Sequence, residues 1–450
     1  MVVQNNKGGT ICTTYYGGTI KYSGTDNETK MNKDKHIPSG YKPSPLGPIP
    51  EDWEVKRLGE VAEMTSGTTP SRANIDFYSN GSIPWVKTTD LNNGILNSTE
   101  ESVTNKALEK TSLKLLPKGT VLVAMYGGFN QIGRTAMLGM EATINQALSA
   151  LICNEKIYNA YLLSWLNCRV KEWKHLAASS RKDPNITGKD VARFPIAVPP
   201  LPEQHRIVSV LSLWDTAIAK QTALIEKLTL RKRGLMQQLL TGKKRLKGFS
   251  GDWKIIKLGS IAERITRKNE EDNKNVVTIS AQRGFVVQTD FFNKSVASEI
   301  LDNYFLVHKN EFCYNKSYSN GYPMGAIKRL KSFDKAVVTT LYICFRLKEK
   351  TRTNIDFFEQ YCESGLLNKE LVKVANEGGR AHGLLNVTPA DFFNMHMRIP
   401  SIEEQTAIAS VLVNADKEIE IQKQKLAAMQ AQKKGLMQVL LTGKRRIKIN

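Results

Sequence analysis

The chain carries one ten-residue motif twice, as Gly234-Leu235-Met236-Gln237-Gln238-Leu239-Leu240-Thr241-Gly242-Lys243 and as Gly435-Leu436-Met437-Gln438-Val439-Leu440-Leu441-Thr442-Gly443-Lys444. Around this motif, residues 199–247 align with 400–448 without a gap, and 22 of the 49 positions are identical. Two more pairs repeat in the same order, namely Asp52-Trp53 with Asp252-Trp253 and Asn185-Ile186-Thr187 with Asn386-Val387-Thr388. Three collinear matches indicate an internal duplication whose unit is too long for a solenoid repeat.

The middles of the two units differ. Residues 64–180 and 264–380 share no extended similarity, although the segments that frame them match. The duplication therefore kept its frame and changed its contents. This pattern predicts two modules that do the same kind of work on two different targets.

The repeated 199–247 block predicts a long helix. Positions taken alternately three and four apart from Ile207 and from Ile408 are apolar at eight of ten places in each copy, which is the seam of a coiled coil. The glycines at 242 and 443 are typical of a left-handed cap after the last turn. An ordinary amphipathic helix on a globular core is the alternative. We expect the two helices to pair antiparallel, so that Gln221 faces Gln422 and this polar pair fixes the register.

Each module shows both strand and helix signals. Strands are predicted at residues 120–126, 312–315 and 337–345, and helices at 148–173 and 355–374. The predicted fold class is therefore α+β: two mixed α/β modules, separated by two long antiparallel helices, with a pseudo-twofold internal repeat.

Loops in both modules carry aromatic, amide and basic side chains. Arg and Lys pair with guanine edges, Asn and Gln with adenine edges, and all of them with phosphate. Polar loops that only face solvent or cap strands are the more common alternative for any one residue. The DNA-binding candidates are Tyr126, Asn130, Arg134, Asn145, Gln146, Arg181, Lys182, Lys316, Tyr318, Asn320, Tyr322, Arg380 and His382.

The formal net charge of +21 favours a polyanionic partner. Sixteen of these charges lie in two segments without acids, Lys227–Gly248 and Lys423–Asn450, which cover the ends of the two predicted helices. The modules themselves are nearly balanced, so their recognition must depend on a few placed residues. Candidates for phosphate contact or for docking of a partner subunit are Lys232, Lys243, Arg245, Lys433, Lys444 and Arg446.

Several function classes lack their sequence signals. No apolar run approaches the ~18 residues of a membrane span, and Met1–Gly9 lacks the apolar region of a secretory signal, so we expect a cytoplasmic protein. The cysteines form no C-x-x-C pair and the histidines no H-E-x-x-H cluster, so no metal site is predicted. Neither an N-P-P-[YF] motif nor a phosphate-binding G-x4-G-K-[ST] loop occurs.

The sequence resembles the specificity (S) subunit of type I restriction–modification systems. The resemblance covers residues 38–450 and is carried by Ser44-Pro45-Leu46-Gly47-Pro48-Ile49-Pro50-Glu51-Asp52-Trp53, by the Pro-x-Leu-Pro-Glu-Gln stretch at 199–204 and by the doubled motif. Residues 1–37 fall outside it, and two alternatives are open there: translation begins at Met31, or the segment is a flexible N-terminal extension. The resemblance then implies target recognition domains at 38–198 and 248–399 and spacer helices at 199–247 and 400–450.

The resemblance also implies a function. Each recognition domain would read one half of a split, asymmetric target in double-stranded DNA, and the helices would set the unspecified spacer. Two methyltransferase (M) subunits would bind the helical regions, and restriction (R) subunits would join the larger complex. No cofactor is expected in this chain, because S-adenosylmethionine, ATP and Mg would serve the partner subunits. The chain itself is then no enzyme, and its target sequence cannot be derived from residues alone.

Two other functions remain open from the residues. One is a self-contained DNA methyltransferase or nuclease, and the other is a scaffold whose modules bind protein rather than DNA. Duplicated modules with divergent centres fit the choice of a target better than either.

Overall fold

The computed structural model describes residues 37–128, 130–178, 185–288, 301–348, 353–377 and 385–447. The expected N-terminal extension at 1–37 lies outside the described residues except for Ile37. Within the described part of the chain, no helix has both the length and the apolar character needed to cross a membrane.

The first half of the chain forms a mixed α/β module followed by a long helix. Its strands are β1 (Tyr41–Lys42), β2 (Ile49–Pro50), β3 (Glu54–Arg57), β4 (Ala62–Ser66), β5 (Ile83–Val86), β6 (Ile95–Leu96), β7 (Glu101–Val103), β8 (Val121–Ala124), β9 (Thr135–Leu138), β10 (Thr143–Ile144), β11 (Leu148–Cys153) and β12 (Pro195–Val198). Its α-helices are α1 (Leu58–Val61), α2 (Asn105–Lys110), α3 (Asn159–Cys168), α4 (Val170–Ala178), α5 (Gly188–Arg193) and the long α6 (Leu201–Leu239).

The second half repeats this plan. Its strands are β13 (Lys254–Lys257), β14 (Ala262–Ile265), β15 (Val277–Ser280), β16 (Gly284–Val287), β17 (Phe305–His308), β18 (Phe312–Asn315), β19 (Ala326–Arg329), β20 (Lys335–Val338), β21 (Ile343–Leu347), β22 (Asn376–Glu377), β23 (Leu385–Asn386) and β24 (His396–Ile399). Its helices are α7 (Leu258–Ile261), α8 (Ile355–Glu363), α9 (Asn368–Val374), α10 (Pro389–Asn394) and the long α11 (Ile402–Leu440).

Each module has its own central sheet, and the two sheets have the same strand order although the middle sequences of the modules differ. In the first module the order β4-β11-β8-β9 is antiparallel throughout and gains β6 at its edge, and in the second module the order is β14-β21-β18-β19. The register agrees too, because Val121 pairs with Leu151 and Met137, as Phe312 pairs with Phe345 and Arg329. The duplication therefore preserved the sheet and replaced the side chains on it.

The modules differ in what surrounds that sheet. The first adds the three-stranded sheet β10-β5-β7, in which β5 and β10 run parallel. The second adds the hairpin β15-β16 and the pair β17-β20. A small two-stranded sheet closes the base of each module, β3 with β12 and β13 with β24.

The two long helices pack against each other and run antiparallel. Lys232, near the end of α6, pairs with Asp416, near the start of α11, and Lys433 pairs with Asp215 in the reverse sense. Both pairs are related by the 201-residue offset of the sequence repeat. Between them, Gln221 Nε2 donates to Gln422 Oε1 at 2.8 Å, so the predicted contact of the two glutamines is confirmed.

Each module core holds the start of one long helix and the end of the other. Trp53 lies in a core with Ile207 from the start of α6 and Leu440 from the end of α11. Trp253 lies in a second core with Leu239 from the end of α6 and Ile408 from the start of α11. The helix pair therefore joins the modules at both of its ends.

Three secondary-structure predictions need correction. Residues 148–153, predicted as the start of a helix, form strand β11, and the helix begins only at Asn159. The predicted strand 337–345 is interrupted between β20 and β21, and the predicted helix 355–374 breaks near Gly365, whose φ is +74°. The strands predicted at 120–126 and 312–315 are present as β8 and β18.

Candidate nucleic-acid interface

In the first module, two candidate loops meet at one edge of the central sheet. Strand β8 ends at Ala124, strand β11 begins at Leu148, and Met125 N donates to Ala147 O at 2.8 Å. Gly133 N then donates back to Ala124 O at 3.1 Å, which returns the loop to the same edge. Loops 126–134 and 145–147 are therefore neighbours, as a shared function requires.

The side chains in these loops have different roles. Tyr126 is 37% exposed, and Asn130 and Gln146 are exposed, so all three are available to a ligand. Asn145 Oδ1 accepts from Ala147 N at 3.2 Å, which shapes its own loop. Arg134 is half-buried and donates to Gln131 Oε1 at 3.0 Å, so this guanidinium also supports the loop.

One neighbouring loop was missed by the sequence reasoning. The loop after β4 passes so close to β10 that a Cβ on Gly67 would lie 2.0 Å from Ile144 O. Glycine therefore lets Thr68 and Thr69 reach the edge, where the Thr69 hydroxyl bonds to Gln146 Oε1. The available signal was a glycine followed by a polar run directly after a strand.

The second module presents a comparable edge. Strand β18 ends at Asn315, and the following Lys316 O accepts from Leu385 N at 3.0 Å. Tyr318 is 65% exposed and Asn320 is exposed, while Gln282 from the β15-β16 turn donates to Asn320 O at 2.9 Å. An aromatic ring, an amide and the half-buried Lys316 thus share this edge.

Tyr322 differs from the other candidates because its hydroxyl is engaged inside the module. It donates to Glu363 at 2.8 Å and accepts from Lys328 Nζ at 3.1 Å, and Lys328 also pairs with Glu363 at 2.6 Å. Burial, with a further contribution from Glu363, raises the pKa of the Tyr322 hydroxyl. Tyr322 therefore supports the loop, contrary to the prediction that it reads DNA.

Four candidates lie outside the described residues. These are Arg181 and Lys182 in the first module and Arg380 and His382 in the second. The described residues that follow each gap reach the sheet edges, since Ile186 N donates to Met125 O at 3.0 Å and Leu385 N donates to Lys316 O at 3.0 Å.

Four of the six basic candidates on the helices are engaged in ion pairs inside the chain. Arg245 forms a two-pronged pair with Glu404 at 2.5 and 2.6 Å, and Lys232 pairs with Asp416 at 2.6 Å. Lys433 pairs with Asp215. These charges join the helices to each other and to the modules, which corrects their assignment to an external partner.

The fourth, Arg446, bridges two carboxylates at the base of the first module. It contacts Glu203, which is 1% exposed, at 2.6 Å and Asp52 at 2.7 Å. Hydrogen bonds to Glu203 and then to Asp52 raise the pKa of the Arg446 guanidinium. Only Lys243 and Lys444 of the six candidates remain both exposed and without a described ion pair, and they stay candidates for an outside partner.

No group of three or more His, Cys, Asp or Glu side chains that could hold a metal ion occurs in the part of the chain that the structure covers. The arrangement instead offers two loop-bearing sheet edges, one in each module. Such edges suit recognition by many weak polar and aromatic contacts.

The fold thus consists of two mixed α/β modules at the two ends of an antiparallel pair of long helices. The chain belongs to the family of the type I restriction modification DNA specificity domain, whose model matches residues 50–230 and 250–431. Both matches include most of a module and most of the long helix that follows it.

Curated relatives agree with this family. The chain is 31% identical over 189 residues to the specificity subunit of the type I restriction enzyme EcoR124I/EcoR124II from Escherichia coli, an alignment that covers 42% of this chain and 47% of that one. It is 23% identical over 434 residues to the MjaVIII specificity subunit of Methanocaldococcus jannaschii, covering 89% and 94%. In the first two relatives the aligned part spans about half of their length, 47% and 45%.

Solved structures agree with the fold. The type I S subunit from M. genitalium matches with a TM-score of 0.50 at 14% identity, covering 88% of this chain and 97% of that one. A chain from a study of assembly and conformational transition of the type I restriction–modification system matches with a TM-score of 0.54 at 17% identity, covering 88% and 99%.

Proposed function

We propose that this chain is the non-catalytic DNA-recognition subunit of a type I restriction–modification enzyme. The observation that carries the proposal is that one sheet with one register occurs twice, at opposite ends of an antiparallel helix pair, with different loops on its edge. Equal frameworks with unequal loops suit the reading of two unlike half-sites. The division into domains at 38–198, 199–247, 248–399 and 400–450 is part of this proposal.

Each module reads one half of a bipartite, asymmetric target in double-stranded DNA. In the first module the exposed readers are Tyr126, Asn130 and Gln146, and in the second they are Tyr318 and Asn320 together with Lys316. Amides and ammonium groups hydrogen-bond base edges in the major groove, and aromatic rings contact thymine methyl groups or stack.

The helix pair sets the distance between the half-sites. Each long helix has 39 residues and is therefore about 58 Å long at 1.5 Å per residue. This length keeps the two modules apart. We infer that the pair is a coiled coil with pseudo-twofold symmetry. Two ion pairs related by the same 201-residue offset, and a central glutamine pair between them, support this.

The partners follow from the same proposal. Two methyltransferase subunits dock on the helical regions, restriction subunits join them, and the complex acts in the cytoplasm. S-adenosylmethionine, ATP and Mg then serve the partner subunits rather than this chain. Lys243 and Lys444, which are exposed and occupy equivalent positions after the two helices, are candidates for contacts to these partners or to phosphate.

A self-contained methyltransferase or nuclease and a protein-binding scaffold are the competing functions. The purified chain, incubated alone with S-adenosylmethionine and DNA, should transfer no methyl group. Methyl transfer by this chain alone would reject the proposal. A scaffold would assemble its complex without preference for any DNA sequence.

The decisive experiment compares one loop substitution in each module. In the complex with its methyltransferase subunits, Gln146→Ala should relax the choice of base in the first half-site only, and Lys316→Ala in the second only. The expected loss is about 5- to 150-fold at the affected base, the range of one good base contact. Target sequences selected from a random DNA library measure both effects.

Matched controls lie at the opposite end of each sheet. Lys118 and Lys309 are exposed and lie just before β8 and β18 rather than after them. Lys118→Ala and Lys309→Ala should leave both half-sites unchanged. Equal weakening on every sequence by Gln146→Ala and Lys316→Ala would indicate phosphate contacts and contradict the assignment of these residues as readers.

A further inference from the structure

The helix that follows the central sheet begins in the same way in both modules. Gln204 Oε1 accepts from Tyr158 N at 2.8 Å just before α3, and Gln405 Oε1 accepts from Asn354 N at 2.9 Å just before α8. Gln204 and Gln405 are themselves related by the 201-residue repeat. Residues of α3 and α8 can therefore be matched by counting from these two positions.

Three of the matched positions are filled by large buried side chains in both modules. Tyr161, Leu162 and Trp165 are buried in α3, as are their counterparts Phe357, Phe358 and Tyr361 in α8. By the same count, Ser164 of the first module corresponds to Gln360 of the second. The side chains at this position make different hydrogen bonds in the two halves.

In the second half, Gln360 connects the module to both long helices. Its Nε2 donates to Asp416 Oδ2 at 2.7 Å, and Asp416 Oδ1 receives Lys232 Nζ at 2.6 Å. A chain of three side chains thus runs from α8 through α11 to α6. Gln360 is only 5% exposed, so water does not compete strongly for its amide.

In the first half, the equivalent groups are arranged otherwise. Asp215 receives Lys433, as the repeat requires, but the Ser164 hydroxyl donates to Ala160 O at 2.8 Å within its own helix. Asp215 is also more exposed than Asp416, 61% against 45% for their side chains. The contact from module to helix pair that Gln360 makes has no counterpart from Ser164.

The carbonyl oxygen of the Gln360 side chain is a second reason to assign a role to the contact with Asp416. Its Oε1 has no hydrogen-bond partner among the described residues, although the atom is buried. Burying an unpaired amide oxygen costs free energy that an apolar side chain of similar volume would avoid. The donor contact to Asp416 is the gain that offsets this cost.

We propose that Gln360 is a positioning residue that fixes the orientation of the second module on the helix pair, and that the first module lacks this restraint. The inference rests on the proposed function in one respect, since orientation sets the DNA spacer that the complex accepts. The second half-site reader then has a contact to the inner part of the helix pair that Ser164 does not supply in the first module.

The test uses Gln360→Met, which keeps the volume and removes the donor. Pulsed electron paramagnetic resonance measures one distance in each half, between spin labels on unnatural amino acids at Lys309 and Lys423 and at Lys118 and Lys220. All four positions are exposed. Gln360→Met should broaden the second-half distance distribution about twofold and leave the first-half distribution unchanged. An unchanged second-half distribution would overturn the proposal.

Two further variants separate the restraint from general destabilisation. Ser164→Ala, the matched control, should change neither distribution. Asp416→Asn keeps an acceptor for the Gln360 amide and removes the ion pair with Lys232, so it should leave the second-half distribution narrow. Broadening by Asp416→Asn equal to that by Gln360→Met would assign the restraint to the ion pair and overturn the proposal.

The DNA readout uses the complex with its methyltransferase subunits and targets whose spacers differ by one base pair. Gln360→Met should reduce the preference for the best spacer over its neighbours at least fivefold, with the half-site sequences unchanged. An unchanged preference would overturn the proposed role in spacing. Failure of the wild-type complex to select any sequence would count against the proposed function, and the distance measurements would still test the restraint.

Discussion

The two ends of the helix pair carry the same motif but join their modules differently. At the end of α6, the polypeptide continues directly from Gly242 into the second module. At the end of α11, no peptide bond leads to the first module, which precedes it in sequence, and only side-chain and packing contacts hold Gly443 there. Gly242 and Gly443 have nearly equal φ angles of +70° and +71°, so the local turn is the same.

The end without a covalent link has the additional contacts. Arg446 binds Asp52 as well as Glu203, whereas the equivalent Arg245 binds Glu404. Tyr41 also donates its hydroxyl proton to Gly443 O at 2.8 Å. Noncovalent closure of this end therefore depends on a small cluster of polar groups that the continuous end does not need.

The largest expected effect comes from breaking that cluster. Arg446→Ala leaves the buried Glu203 without its cation and removes the contact to Asp52, so we expect the free energy of unfolding to fall by about 3 kcal/mol. Amide exchange near Gly443 should accelerate strongly, because nothing covalent holds this end to the first module.

The matched variant at the other end is Arg245→Ala. It leaves the buried Glu404 without its cation and so should also lower the free energy of unfolding, but the continuous chain should keep exchange near Gly242 slow. Lys444→Ala serves as the surface control and should change neither quantity. Equal acceleration at both ends would show that the covalent connection does not matter to docking.

A smaller effect should distinguish the two base tryptophans. Trp53 Nε1 donates to the buried Glu203 carboxylate at 3.0 Å, whereas Trp253 Nε1 has no hydrogen-bond partner among the described residues. Trp53→Phe should therefore cost about 1.5 to 3 kcal/mol more than Trp253→Phe, the range of a hydrogen bond to a charged group. Chemical denaturation of the two variants gives this difference directly, and equal losses would contradict it.

The smallest change in stability is expected at the centre of the helices. Replacing Gln221 and Gln422 together with Leu should be neutral or stabilising by about 1 kcal/mol, since a partly buried polar pair is exchanged for apolar packing. The alignment of the helices should nevertheless loosen. Cross-linking between cysteines introduced near Asp215 and Lys433 should then give products in more than one register. A single unchanged register would show that Gln221 and Gln422 do not fix the alignment.

The two long helices and their pairing were predictable because the sequence patterns that indicate them are local or occur twice. The helix ends follow from a glycine after an apolar seam, and the contact of Gln221 with Gln422 follows from the antiparallel pairing of two equal helices. The strand at 148–153 was missed because its first four residues are all buried, so that it shows no alternation of buried and exposed positions, and a short continuous apolar run has no period that separates strand from helix.

The candidate sites were less predictable because their partners are distant in sequence. Arg446 lies 243 residues from Glu203, so its basic charge looked available when it was already paired. Tyr322 looked like a loop aromatic, yet Glu363 and Lys328 hold its hydroxyl. The common sheet of the two modules was also hidden, because strands at matching places keep their burial and register without keeping their residues.

The central claim is that the helix pair sets the spacing between two recognition modules. Inserting one heptad after Gln221 and one after Gln422 lengthens each helix by about 10 Å with a rotation of only about 20°. Target selection from a random DNA library by the assembled complex should then return both original half-sites, separated by about three more base pairs at 3.4 Å each. The same half-sites at the original spacing would contradict the claim.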